Sequence, residues 1–129
     1  MNERHTIQKD MIYAALCDMK NHPTADAVYD KVHAEHPSIS KATVYRVLGR
    51  MAEQGLILRI PVTDGADHYD HQTHPHYHIH CDDCGKMDDV EMPMLGDLCA
   101  SVTDRSGYEL TGFTVLFHGH CQACQSELS

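Results

Sequence analysis

Ile12, Leu16 and Met19 recur at helical spacing near the start of the chain. That spacing predicts a helix from about Thr6 to Met19 with one apolar face. Asn21-His22-Pro23-Thr24 breaks it. Thr24 then offers a side-chain oxygen to open a second helix, with Asp26 in its first turn, Val28 and Val32 on one face, and Pro37 beyond its end. Ser40 caps a third helix from Lys41 to about Gln54, striped by Val44, Leu48 and Met51. Gly55 suits the left-handed position that closes it. Leu56 to Ile60 reads as a strand, Asp64-Gly65 as a turn signal, and His68-Tyr69 as the returning strand. Three capped helices followed by a hairpin predict a winged helix-turn-helix.

Asp70 to Pro75 is polar and reads as a linker. The expected layout is therefore a first domain over residues 1–70, a hinge over 71–75 and a second domain over 76–129. In the second domain the pattern predicts strands at His76–His80 and Lys86–Val90, a helix at about Met94–Arg105 and a long strand at about Glu109–Phe117. The fold class is α+β: a winged helix-turn-helix followed by an α/β domain.

Cysteine changes the picture most. Cys81/Cys84 and Cys121/Cys124 form two matched Cys-x-x-Cys pairs, separated by 36 residues. Each pair places two thiolates on one ion, and two pairs close a tetrahedral zinc site with no open position. That is structural zinc rather than catalytic zinc. Two disulfides are the competing reading, and a reducing compartment disfavours them. Domains this small have marginal cores and need a staple. Cys17 and Cys99 lie in helical patterns and read as small core residues. No stretch is long and apolar enough to span a membrane, and no signal peptide precedes the charged start, so a cytoplasmic chain with no membrane partner is expected.

The net charge of −9 looks wrong for a nucleic-acid binder, but it is unevenly spread. Residues 1–60 hold eight Lys/Arg and seven Asp/Glu, a net of +1, whereas residues 61–129 hold two and twelve, a net of −10. Only the first part can approach phosphate without strong repulsion. The third helix points the same way. With Val44, Leu48 and Met51 inward, Tyr45, Arg46 and Arg50 take the outer arc, beside Ser40, Lys41 and Thr43 at the helix start. Arginine reads guanine edges and tyrosine packs on sugar or a thymine methyl. The plain alternative is an ordinary solvated face. His76 and His78 sit two apart on a predicted strand, so their rings share a face, and Asp70 and Asp89 flank them. Imidazole and carboxylate without thiolate suit Mn(II), Fe(II) or Zn(II). Scattered surface histidines are the alternative in a chain holding twelve.

These residues together resemble the ferric uptake regulator (Fur) family of metal-dependent bacterial repressors. The resemblance covers nearly the whole chain: Thr6-Ile-Gln-Lys, His22-Pro-Thr-Ala-Asp26, Ala42-Thr-Val-Tyr-Arg46, His76-Tyr-His78, Cys81-Asp-Asp-Cys-Gly85 and Cys121-Gln-Ala-Cys124. It implies a homodimer on a double-stranded palindromic operator, with structural Zn(II) on the four cysteines. It also implies a regulatory Fe(II) or Mn(II) held by His22, Asp70, His76, His78 and Asp89. Aspartate rather than glutamate at position 89 resembles the peroxide-sensing PerR branch. In that branch iron-catalysed oxidation of a ligand histidine, here His22 or His76, ends repression, and peroxide is the signal rather than a substrate. An iron-responsive repressor, or another metal-uptake repressor answering to Mn or Zn, is the alternative within the family. The chain starts close to the first helix, which implies that the extra N-terminal helix of many relatives is missing or minimal. His71, His74, His80, His118 and His120 are not family features, and His80 would share a face with His76 and His78.

Two other classes stand further off. A zinc enzyme needs an open metal position and a nearby acid or base. The four cysteines leave none, and neither His-x-x-x-His with Glu nor a His-x-Glu deaminase signature is present, so no enzyme is expected. A metal-buffering protein would use the histidine cluster as a sponge.

Overall fold

The computed structural model describes the backbone of residues 3–20, 22–63, 65–74 and 76–128, and the side chains among these from 7 to 126. Asn21 of the expected helix break, Asp64 of the expected turn, Pro75 at the end of the expected linker and the side chain of Thr6 lie outside them. The chain divides into two compact units, Met1–His74 and Pro75–Ser129.

The first unit packs α1 (Glu3–Asp18), α2 (Ala25–Glu35) and α3 (Lys41–Glu53) around one core, followed by the hairpin β1 (Leu58–Ile60) and β2 (His68–Asp70). Ile12, Leu16, Val28, Val32, Val44, Leu48 and Met51 are buried together with Ile39, Ile57 and Tyr69. The caps fall where the sequence puts them. Thr24 Oγ1 accepts from Ala27 N at 3.3 Å, and Ser40 Oγ accepts from Thr43 N at 3.1 Å. Each satisfies an amide that the first helical turn leaves without a partner. Gly55 closes α3 with φ of +77°, a conformation that glycine adopts without penalty. The hairpin is antiparallel, with Leu58 opposite Asp70, Arg59 opposite Tyr69 and Ile60 opposite His68. This is the expected winged helix-turn-helix.

All three residues of β2 are buried, although strand side chains alternate between faces. Tyr69 joins the helical core. His68 and Asp70 are covered by the segment that leads into α2: His68 Nδ1 bonds the carbonyl of His22, and Tyr69 N bonds the carbonyl of Pro23. Asp70 is therefore the last residue of a strand and not the first of a linker.

The second unit is a three-stranded sheet in the order β4-β3-β5, from β3 (Tyr77–Cys81), β4 (Met87–Val90) and β5 (Leu116–Gly119). β3 pairs antiparallel with β4 and parallel with β5. The helix expected at Met94–Arg105 is only a 3-10 turn, Leu98–Ser101. Gly96, at φ +75°, departs from helical geometry just before it, and Ser106 and Gly107 turn at positive φ just after. Leu95, Leu98 and Val102 stand at helical spacing but join no core among the described residues, and Leu95 and Val102 stay exposed. The long strand expected from Glu109 shrinks to four residues. Register pairs His78 with Leu116, and β3 begins only one residue earlier, so residues upstream of Leu116 lack a ladder to join. The second cysteine pair runs into α4 (Gln122–Leu128), which holds Cys124. Cys17 and Cys99 are half-buried rather than core residues. No helix of the described residues is long and apolar enough to cross a membrane.

Replacing fully buried Leu48 with alanine is expected to destabilise the first unit by about 2–5 kcal/mol. Ser40→Ala should cost about 1 kcal/mol through the lost cap. Urea unfolding followed by helical circular dichroism measures both.

Candidate metal centres

The Cys81–Lys86 turn is built to bring two thiols together, Cys81 buried and Cys84 exposed. Cys81 N bonds Lys86 O at 2.8 Å, Gly85 N bonds Cys81 O at 3.0 Å, and Gly85 takes φ of +80°. β5 and α4 bring the second pair to the same place. Asp82 N bonds Gly119 O at 2.8 Å, and Cys124 lies in the first turn of α4. Cys81 Sγ and Cys124 Sγ are 3.8 Å apart, as are Cys84 Sγ and Cys121 Sγ. All four sulfurs lie within 4.8 Å of one another. A disulfide needs about 2.05 Å, and none of these thiols is so joined. Zn–S bonds of about 2.3 Å set tetrahedral sulfur–sulfur edges near 3.8 Å. The set therefore suits structural zinc.

The protons agree. Backbone amides of Cys84 and then Cys121 lower the Cys81 thiol to about 6, while hydrogen bonding from Cys121 raises Cys124 above the usual thiol range. Without a cation the cluster favours the thiolate at Cys81 and disfavours it at Cys84 and Cys124. A divalent ion would displace the remaining protons. Two histidines brace the turn. His118 Nδ1 lies 3.3 Å from Asp82 Oδ2, and His120 Nδ1 lies 2.6 Å from Asp83 Oδ2.

The five expected His and Asp donors fall into two groups, one in each unit. In the first unit His22 Nδ1 lies 3.5 Å from Asp70 Oδ2. Both side chains are buried, and the other Asp70 oxygen accepts from Gln72 N at 2.9 Å. In the second unit the rings of His76 and His78 lie 4.4 Å apart by centroid. Their Nε2 atoms are 3.2 and 3.5 Å from the same oxygen of Asp89, which stands opposite His78 in the β3–β4 ladder. Each group is an imidazole and carboxylate set, with no sulfur. Such donors suit Fe(II) or Mn(II). Two donors, or three, are few for either ion alone.

On α3, Tyr45, Arg46 and Arg50 are exposed, as are Ser40 and Lys41, with Thr43 half-buried. Ser40 and Thr43 are bonded to each other in the cap at 2.9 Å. Asp26, read in the sequence only as a first-turn acid of α2, turns out to hold two of these residues. Tyr45 Oη donates to its Oδ1 at 2.5 Å, and Lys41 Nζ lies 3.1 Å from the same oxygen. Those bonds, Tyr45 first, lower the Asp26 pKa, and Asp26 in turn raises both Tyr45 and Lys41. A cation that the pattern did not single out is Arg59 on β1. Its Nη2 lies 3.4 Å from where a Cβ on Gly49 would stand, so the wing arginine lies against α3.

Residues 1–118 match the ferric uptake regulator family. The chain belongs to that family. It is 32% identical over 124 residues to the peroxide-responsive repressor PerR of Staphylococcus aureus, spanning 96% of this chain and 84% of that protein. Among solved structures it resembles the Campylobacter jejuni peroxide stress regulator at TM-score 0.69 and 28% identity, covering 94% of this chain and 91% of that one. It also resembles the ferric uptake regulator of Francisella tularensis, solved with iron, at TM-score 0.74 and 25% identity, covering 91% and 90%. Membership in the Fur family makes the chain a metal-responsive regulator, and its relatives are regulators rather than enzymes.

One zinc per chain is expected, retained through mild chelation. Cys121→Ser should lose it and unfold the second unit while the helical signal of the first persists, as read by metal analysis and circular dichroism. For Asp26, whose pKa is lowered, the clasp is complete above the ordinary carboxylate value near 4. It is lost as pH falls through the lowered value. Asp26→Asn should remove that acid dependence and return the Tyr45 phenol to about 10, as followed by NMR titration of the ring.

Proposed function

We propose that the chain is a metal-dependent, DNA-binding transcriptional repressor that answers to peroxide. The observation that carries this reading is the pair of incomplete donor sets. His22 and Asp70 lie in the winged-helix unit and His76, His78 and Asp89 in the zinc-stapled unit, and each set lacks ligands that the other could supply. One Fe(II) or Mn(II) ion taking ligands from both would fix the two units relative to each other. On this reading residues 1–70 bind DNA, residues 71–75 form the hinge and residues 76–129 hold the dimer together.

In a two-fold dimer the fixed angle sets the spacing of the two α3 helices, and a palindromic operator demands one spacing. Ligand donation is then a shift of population towards the DNA-competent arrangement. Arg46 and Arg50 would meet base edges or phosphate, with Ser40, Lys41, Thr43 and Tyr45 at the same surface. The +1 charge of residues 1–60, against −10 beyond them, leaves this unit as the one able to approach DNA.

Peroxide sensing rests on the branch. The likeness to the S. aureus repressor and the aspartate at position 89 support it. Bound Fe(II) would reduce peroxide and generate the oxidant beside its own ligands. His22 and His76 are the rings we expect to be modified. An oxidised imidazole donates poorly, so the two donor sets would part and repression would end.

The test uses a pool of DNA duplexes with randomised centres. Mn(II) should enrich a palindrome, and chelation should abolish the enrichment. Enrichment that ignores both sinks the reading. Fe(II)-loaded protein given limited peroxide should gain one oxygen on a peptide holding His22 or His76, and Mn(II)-loaded protein should not. Metal-dependent enrichment with unmodified histidines would instead favour an iron-responsive repressor.

A further inference from the structure

We infer that His68 is a positioning residue for the regulatory ion: it holds the backbone of His22 so that the His22 ring and the Asp70 carboxylate converge. This rests on the regulatory-site reading above and adds a residue to it, on observations confined to the first unit.

His22 has φ of +44°. A non-glycine residue in the left-handed region is uncommon and persists only where its surroundings impose it. Three contacts impose it here. His68 Nδ1 lies 2.6 Å from the carbonyl oxygen of His22, Tyr69 N bonds Pro23 O at 2.8 Å, and Thr24 bridges His68 in antiparallel register. A carbonyl only accepts, so Nδ1 of His68 carries the proton and donates. The ring is 6% exposed, where a lost partner would leave a buried polar group uncompensated.

The consequence is geometric. His68 and Asp70 are two apart on β2 and so share a face. One residue supplies the bond to the His22 backbone and the other the carboxylate 3.5 Å from the His22 ring. The two interactions bracket a single residue from both ends, its carbonyl and its imidazole. Groups that orient metal ligands from behind are worth about 10–100-fold in metal affinity.

Asparagine and glutamine separate this role from simple packing. The Asn amide nitrogen occupies nearly the place of imidazole Nδ1, whereas that of Gln lies one bond further out. Full-length, zinc-loaded protein is titrated with Mn(II) while free Mn(II) is read by electron paramagnetic resonance, for the wild type and for His22→Ala, His68→Asn, His68→Gln and His68→Leu. The expected result is near-native affinity for His68→Asn and about 10–100-fold weaker binding for His68→Gln and His68→Leu, with zinc content unchanged. Should His68→Leu not fold, the Asn–Gln contrast carries the same information. Equal affinity in wild type, Asn and Gln variants overturns the positioning role while leaving the regulatory site standing. Equal loss in Asn and Gln overturns it too, because the donated bond is then not the cause. If His22→Ala binds Mn(II) as tightly as wild type, the regulatory site itself fails and the inference falls with it.

Discussion

The four-thiol cluster is the constraint on which the second unit depends. Its described hydrophobic interior is small: Tyr77, Cys81 and Met87 are its buried core residues. Three short strands and a terminal helix do not hold together on that much burial. The cluster ties the β3–β4 turn to the end of β5 and to α4, the points where these elements would otherwise separate. Zinc in peptide-sized sites is worth on the order of 10–16 kcal/mol, more than a three-residue core supplies. The first unit needs no such help, because three helices bury a continuous aliphatic core.

The two kinds of donor divide the work by softness. Thiolates form a closed tetrahedral set with no vacancy. Among the described residues imidazoles and carboxylates form two smaller groups, of two and three donors. A closed set suits permanence and an incomplete set suits response. The chemistry therefore separates the ion that keeps the protein folded from the ion that would inform it.

Much of this was legible in the sequence because the signals are local. Thr24 and Ser40 cap helices through their own next turn, Gly55 needs a positive φ at one place, and the Cys-x-x-Cys pairs are short. The losses came where local pattern met a missing partner. Leu95, Leu98 and Val102 have helical spacing, but Gly96 interrupts it and no core receives it. Residues from Glu109 have strand character, but β3 offers a partner only from Leu116 on. Asp70 looked like linker because its neighbours are polar, whereas it ends a strand and its carboxylate meets His22, far away in sequence. Asp26 and His68 escaped notice for the same reason, since each acts on a residue at least 15 positions distant. The hint for Asp26 lay in the His22-to-Asp26 motif, where capping had already explained an acid. For His68 the sequence carried no hint.

Asp26 bears on how the first unit would feel dissolved salt. Lys41 is already ion-paired, and Tyr45 already bonded, before any polyanion arrives. A cation engaged in the free protein displaces fewer condensed counterions when it meets a phosphate, so it adds less than a full charge to the dependence of log affinity on log salt. A tally of basic residues on this face would thus overstate its ionic-strength sensitivity.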